Sequence, residues 1–152
     1  MKNDLFFMQR AYEQALLGFN KEEIPVGAIV VYKDEIISEA HNQSIAKTDP
    51  TSHAEIEAIR EAALKIGNYR LSDATMYVTL EPCLMCCGAL IHARFDEVIF
   101  STKDEKSGAV ISNGNLLEAN FINHFVKFKQ GPLQEESSAL LRKFFKNKRS
   151  KV

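Results

Sequence analysis

His53-Ala54-Glu55 and the later run Pro82-Cys83-Leu84-Met85-Cys86 carry the residue types best able to do chemistry in this 152-residue chain. The imidazole of His53 and the thiolates of Cys83 and Cys86 suit a zinc ion, and three protein donors leave the fourth tetrahedral position for water. Such a site is catalytic in kind, because a water there ionises near neutral pH and becomes a nucleophile. Cys83 and Cys86 are three apart at an expected helix start. Both sulfurs then point to one side, near backbone N–H groups that favour thiolates.

Glu55 falls on the apolar stripe of Ala58, Ile59, Ala62 and Ile66, so its carboxyl group is expected to face the interior. Burial raises a carboxyl pKa toward the range that general acid/base catalysis needs. Residues two apart lie on opposite sides of a regular helix, so pairing His53 with Glu55 requires an irregular first turn at His53. Three other uses of the cysteines compete. A thioredoxin-like redox Cys-x-x-Cys leaves His53 and Glu55 without a role. A structural zinc site wants a fourth ligand, and Cys87, directly after Cys86, points about 100° away around the helix. Cysteines that merely pack are the third, and Cys87 itself reads as a small packing residue.

The elements that must hold these groups are legible from periodicity. Leu5, Met8, Tyr12, Ala15, Leu16 and Phe19 recur at helical steps, predicting an amphipathic helix over 4–19. Residues 27–32 and 36–40, joined by a polar turn, predict a hairpin. A polar connection over 42–51 follows, and Thr51 or Ser52 can cap a helix reaching Ile66, ended by Gly67-Asn68. Residues 74–80 predict a third strand. Pro82 stops it and opens a helix to about Ala93, residues 97–100 a fourth strand, and 125–128 a fifth. Pro132 begins a final helix. Strands separated by helices make an α/β layered domain, and the hairpin makes its sheet mixed.

Composition sets the outer bounds. With 45% hydrophobic and 26% charged residues, the chain can bury one core, so residues 1–152 are expected to form a single domain. No apolar run is long enough to span a membrane and the first residues lack the pattern of a secretory signal, so the expected location is the cytoplasm. All three cysteines lie between 83 and 87, which points to local chemistry rather than a disulfide scaffold. A net charge of -1 argues against coating nucleic acid by bulk charge. A basic run, Arg142, Lys143, Lys146, Lys148, Arg149 and Lys151, could contact phosphates or be a solvated final turn.

His-x-Glu followed by Pro-Cys-x-x-Cys resembles the signature of the cytidine and deoxycytidylate deaminase superfamily. Ile24-Pro25-Val26-Gly27-Ala28, residues 49–55, Asn68-Tyr69-Arg70-Leu71 and residues 77–83 look like segments of its branch that acts on adenosine in bacterial tRNA. The resemblance implies a three-layer α/β/α fold with a mixed five-stranded sheet, one Zn²⁺ per subunit held by His53, Cys83 and Cys86, and Glu55 as proton carrier. It implies hydrolysis of adenosine to inosine at the wobble position of a tRNA anticodon loop, by a homodimer. Asn42 should hydrogen-bond the target base, Ile24, Ile45 and Leu80 should shape its pocket, and Phe144 with Phe145 should lie near the bound nucleotides. The alternative is a deaminase of a free nucleobase or nucleoside of the guanine or cytosine type. Two departures bear on substrate choice: Gly108-Ala109-Val110-Ile111-Ser112-Asn113-Gly114 stands where the family usually has Gly-Ala-x-Gly-Ser, and Ser101 where glycine is common.

Overall fold

The computed structural model describes residues 2–150; Met1, Lys151 and Val152 lie outside the described residues, and with them the last charge of the basic run. The elements in order are α1 (Asp4–Asn20), β1 (Gly27–Tyr32), β2 (Glu35–His41), α2 (Ala54–Ile66), β3 (Thr75–Leu80), α3 (Leu84–His92), β4 (Glu97–Thr102), β5 (Lys127–Gln130) and α4 (Gln134–Ser150). A short 3-10 turn occupies Leu116–Glu118. The sheet runs β2-β1-β3-β4-β5. β1 is antiparallel to β2 and β3, while β3, β4 and β5 are parallel. This is the mixed five-stranded sheet of the expected fold.

Local sequence explains most of the boundaries. Asn3 caps α1 by accepting a hydrogen bond from the Phe6 N–H at 3.0 Å. Lys33 and Asp34 both adopt left-handed φ, 51° and 62°, the backbone that a tight hairpin turn requires. Gly67 ends α2 at φ 75°.

Pro82 lies just before Cys83, the N-cap of α3, rather than opening the helix, and three further boundaries differ from expectation. Thr51 and Ser52 do not cap α2, because their hydroxyls donate to Asp49 at 2.7 and 3.0 Å, and His53 takes the cap position. β5 begins at Lys127, paired with Glu97, and leaves Phe125 65% exposed outside the ladder. α4 begins after Leu133, whose φ of 67° cannot be helical.

Alternation along the strands sends side chains to two apolar layers. One face of the sheet, through Ala28, Val30, Met76, Val78, Val98 and Phe100, packs with Ala54, Ala58 and Ala62 of α2 and Leu90 and Ile91 of α3. The other face, through Ile29, Val31, Tyr77 and Ile99, packs with Phe7, Met8 and Ala11 of α1. α4 lies beside α1, with Phe144 edge-on to Phe19 at 6.3 Å. The three layers place the C-terminal end of β3 and the N-termini of α2 and α3 together. No helix among the described residues is long and apolar enough to cross a membrane.

The contact of α1 with β1 is close enough to demand glycine at position 27, where a Cβ would run into the α1 backbone at Ala11 and Ala15. Gly27→Ala is therefore expected to lower stability by about 1–3 kcal/mol in urea unfolding, as overpacking does; an unchanged midpoint would show that α1 slides freely on the sheet.

Candidate active site

Two helix starts build the centre. His53 is the N-cap residue of α2 with extended backbone, φ -68° and ψ 156°, and Cys83 is the N-cap residue of α3, φ -80° and ψ 178°. Neither side chain caps its own helix. They turn toward each other instead. His53 Nδ1 lies 3.6 Å from both Cys83 Sγ and Cys86 Sγ. The extended backbone at His53 is the irregular first turn that the His-x-Glu spacing requires.

These three donors lie within 4.8 Å of one another. A tetrahedral zinc with Zn–S near 2.3 Å and Zn–N near 2.05 Å would separate sulfur from nitrogen by about 3.6 Å, so the donor set fits the ion. Cys87 stays outside the group: it is fully buried, its thiol faces the Pro82 carbonyl oxygen at 3.7 Å, and burial pushes its pKa up to about 12. The reading of Cys87 as a packing residue agrees with this placement.

Hydrogen bonding and burial set the proton affinities within the cluster. The Cys86 thiol donates to Cys83, whose pKa falls to about 4, with burial opposing and His53 assisting. Cys86 is pushed far up as the donor. The hydrogen bond with Cys83 raises His53 above its ordinary value. Glu55, in the first turn of α2, is 4% exposed, and burial raises it to about 7, with the negative Cys83 adding to the rise.

A cleft of about 1390 Å³ opens over this centre. Its floor includes His53, Glu55, Cys83 and Asn42; Ile24, Ile45 and Leu80 line its walls. Asn42 is 6% exposed, and its Oδ1 accepts from the Ser44 hydroxyl at 2.9 Å. Phe145 reaches the cleft, 43% exposed. Phe144 does not line it: 6% exposed, it is held between Phe19 and Phe145, because the adjacent helix position turns it onto α1. Arg142, Lys143, Lys146 and Arg149 of α4 line the rim, whereas Lys148 covers the Phe144 ring at 5.6 Å.

Lys103 and Lys106, which sequence patterning did not single out, complete the basic rim from the other side. Their position just beyond the C-terminal end of β4, the parallel neighbour of β3, was the available signal, since ligands of such sheets bind outside the carboxyl ends of strands. Two buried glutamates also went unremarked. Glu23, 1% exposed, accepts the amides of Ile45 and Ala46 at 3.1 and 2.8 Å and so fixes one wall. Glu81 holds the opposite wall.

Glu55 has a measurable consequence for stability. Its carboxyl ionises near 4.5 when unfolded but near 7 when buried, so between these values the folded chain keeps a proton that the unfolded chain has lost. Stability contributed by the protonated form is therefore lost as pH rises from about 4.5 to 7. In metal-stripped protein, Glu55→Gln is expected to raise stability at pH 8 by on the order of 3 kcal/mol and to change little at pH 4; equal effects at both pH values in denaturant titrations would contradict the burial account.

Comparison with known proteins agrees with this geometry. Residues 1–102 match the cytidine and deoxycytidylate deaminase zinc-binding region. The tRNA-specific adenosine deaminase of Aquifex aeolicus (strain VF5) is 46% identical over 147 residues, 97% of each chain. A solved structure from a study of A-to-I editing by tRNA:A34 deaminases at the wobble position of transfer RNA is 34% identical. It matches with a TM-score of 0.87 over 90% of this chain and 99% of its own. The guanine deaminase of Bacillus subtilis is 31% identical, with a TM-score of 0.66 over 96% and 95%. A zinc-suited donor set inside the matched region, a buried glutamate beside it and near full-length relatives lead to one assignment: the chain belongs to the cytidine and deoxycytidylate deaminase family.

Proposed function

We propose that the chain is a zinc-dependent hydrolytic deaminase that converts adenosine to inosine at the wobble position of a tRNA anticodon loop. The observation that carries this reading is the buried Glu55 beside the His53, Cys83 and Cys86 donors, at the floor of an open cleft with a basic rim. When bound by these three residues, zinc supplies Lewis-acid activation of water. Glu55 takes a proton from the attacking water and delivers it to N1 of adenine as oxygen bonds to C6; it then takes the remaining proton of that C6 hydroxyl, which becomes the carbonyl, and delivers it to the departing amine. The C6–N bond breaks, and inosine and ammonia leave. Burial of Glu55, which raises its carboxyl pKa, suits it to accept and return protons.

Placement at the cleft supports the remaining roles. The Asn42 amide is positioned to hydrogen-bond the base edge, and Ile24, Ile45 and Leu80 give the base apolar walls. Phe145 offers a stacking surface beside Lys143 and Lys146 for neighbouring nucleotides, as is common for splayed RNA bases. Everting a base from a loop costs less than from a duplex, which favours the anticodon loop. The cleft also exceeds the roughly 300–1,000 Å³ of small-molecule pockets, which supports a macromolecular substrate over a free base.

Residues 1–152 form one deaminase domain in this reading, acting in the cytoplasm where tRNA is matured. It works as a homodimer in this reading, which the 67% exposure of Leu84 next to Cys83 supports. Phe144 supports Phe145 from behind rather than touching RNA.

Two variants test the reading. Glu55→Ala is expected to lower inosine formation in an anticodon stem-loop by at least about 10²-fold while retaining zinc and fold; full activity would remove Glu55 from the mechanism. Truncation after Phe145 is expected to weaken stem-loop binding by about 10-fold or more at physiological salt and to flatten its salt dependence. Unchanged affinity would assign the basic end of α4 to solvent.

A further inference from the structure

Glu81 is 1% exposed, two residues before Cys83, and it gathers donors from a segment far along the chain. Its Oε1 accepts the Asp104 N–H at 3.1 Å and the Ser112 hydroxyl. Its Oε2 accepts the N–H groups of Val110, Ile111 and Ser112 at 3.1, 2.8 and 3.0 Å. Burial costs the ionised form, and the Ser112, Ile111 and Asp104 hydrogen bonds outweigh it, holding the carboxyl below its ordinary range.

The same segment is pinned to the donor strand end. Cys83 and Gly108 form an isolated antiparallel bridge, and the Ala109 N–H donates to the Pro82 carbonyl at 2.9 Å. A Cβ at Gly108 would collide with the Glu81 carboxylate. Lys103, directly before the Asp104 anchor, and Lys106 and Ser107, between Asp104 and Gly108, are thereby carried to the cleft. The segment has little regular secondary structure of its own, so its path depends on the buried carboxylate.

We propose that Glu81 is a positioning residue for substrate: it folds residues 104–112 into the cleft wall and thereby sets where Lys103 and Lys106 meet the substrate strand. It also explains how the unusual Val110-Ile111 sequence is accommodated. The contacts to Glu81 use backbone amides at 110 and 111 and so do not themselves constrain the side chains: Ile111 is 42% exposed, and the fully buried Val110 is set by core packing instead. Besides its bridge to Gly108, Cys83 is held by the first turn of α3, where its carbonyl accepts the Cys87 N–H at 2.9 Å, so loss of Glu81 should loosen the wall before it disturbs the donors.

This inference rests on the proposed action on RNA for its kinetic readout, and amide exchange reads it separately. Glu81→Gln replaces one acceptor with an N–H₂ group facing backbone donors; Glu81→Asp keeps the charge, and Ser112→Ala removes a single bond. In zinc-loaded Glu81→Gln the amides of 104 and 110–112 are expected to lose about 10-fold or more in hydrogen-exchange protection while the strands keep theirs. KM for the anticodon stem-loop should rise about 10-fold or more with kcat within about threefold, Ser112→Ala should fall between wild type and Glu81→Gln, and Glu81→Asp should recover part of KM. Retained protection, unchanged KM, a fall confined to kcat, or global loss of protection and zinc in all three variants would overturn the proposal. A wild-type protein inactive on the stem-loop would instead defeat the RNA reading and leave the exchange result to decide on Glu81.

Discussion

The centre depends on two helix N-termini being turned against each other so that the residues at their cap positions face a common point. Cap positions ordinarily favour Ser, Thr, Asp or Asn, whose oxygens satisfy the first free amides. Here His53 and Cys83 occupy them and cap nothing, and the nitrogen and sulfur donors that result lie 3.6 Å apart. The positive ends of α2 and α3 favour the thiolate form that such donors need. Everything else in the fold keeps those ends in place: the β3-α3-β4 crossover sets α3, and the Asp49 turn, which consumes Thr51 and Ser52, delivers the chain to His53 in extended form.

Burial then divides labour among the acids. Glu55 has no salt-bridge partner among the described residues and is driven toward neutrality, which makes it able to move a proton. Glu81 and Glu23 are equally buried, but both accept backbone N–H groups, which suits them to holding loops, and at Glu81 these bonds keep the carboxyl below its ordinary range. Glu57 is tied to Lys47 at 2.8 Å and anchors the 42–52 connection to α2. One residue type thus serves three purposes according to what surrounds it.

Much of this was legible in the sequence because it is local. The helical stripe of α1, the hairpin and the Cys-x-x-Cys spacing each depend on residues within one or two turns of one another, and the donor set came directly from residue type and spacing. Phe144 and Phe145 show where this stops: the sequence presents an equivalent pair, and only the packing of α4 on α1 through Phe19 decides that Phe145 faces the cleft and Phe144 the interior. Thr51 and Ser52 read as caps because cap propensity ignores the competing acceptor at Asp49. Glu81 was invisible for a similar reason, since its partners lie 23 to 31 positions away. The onset of β5 is set by pairing with β4 and not by the apolar content of Phe125-Val126.

The guanine deaminase of Bacillus subtilis shares this fold, so the distinction that matters is whether this cleft acts on a free base or on a base still attached to RNA. The direct test is mass spectrometry of products after zinc-loaded protein is incubated in parallel with an adenosine-wobble anticodon stem-loop, free guanine, cytosine and adenosine. Inosine is expected in the stem-loop with the free compounds unconverted; a converted free base with an untouched stem-loop would contradict action on RNA.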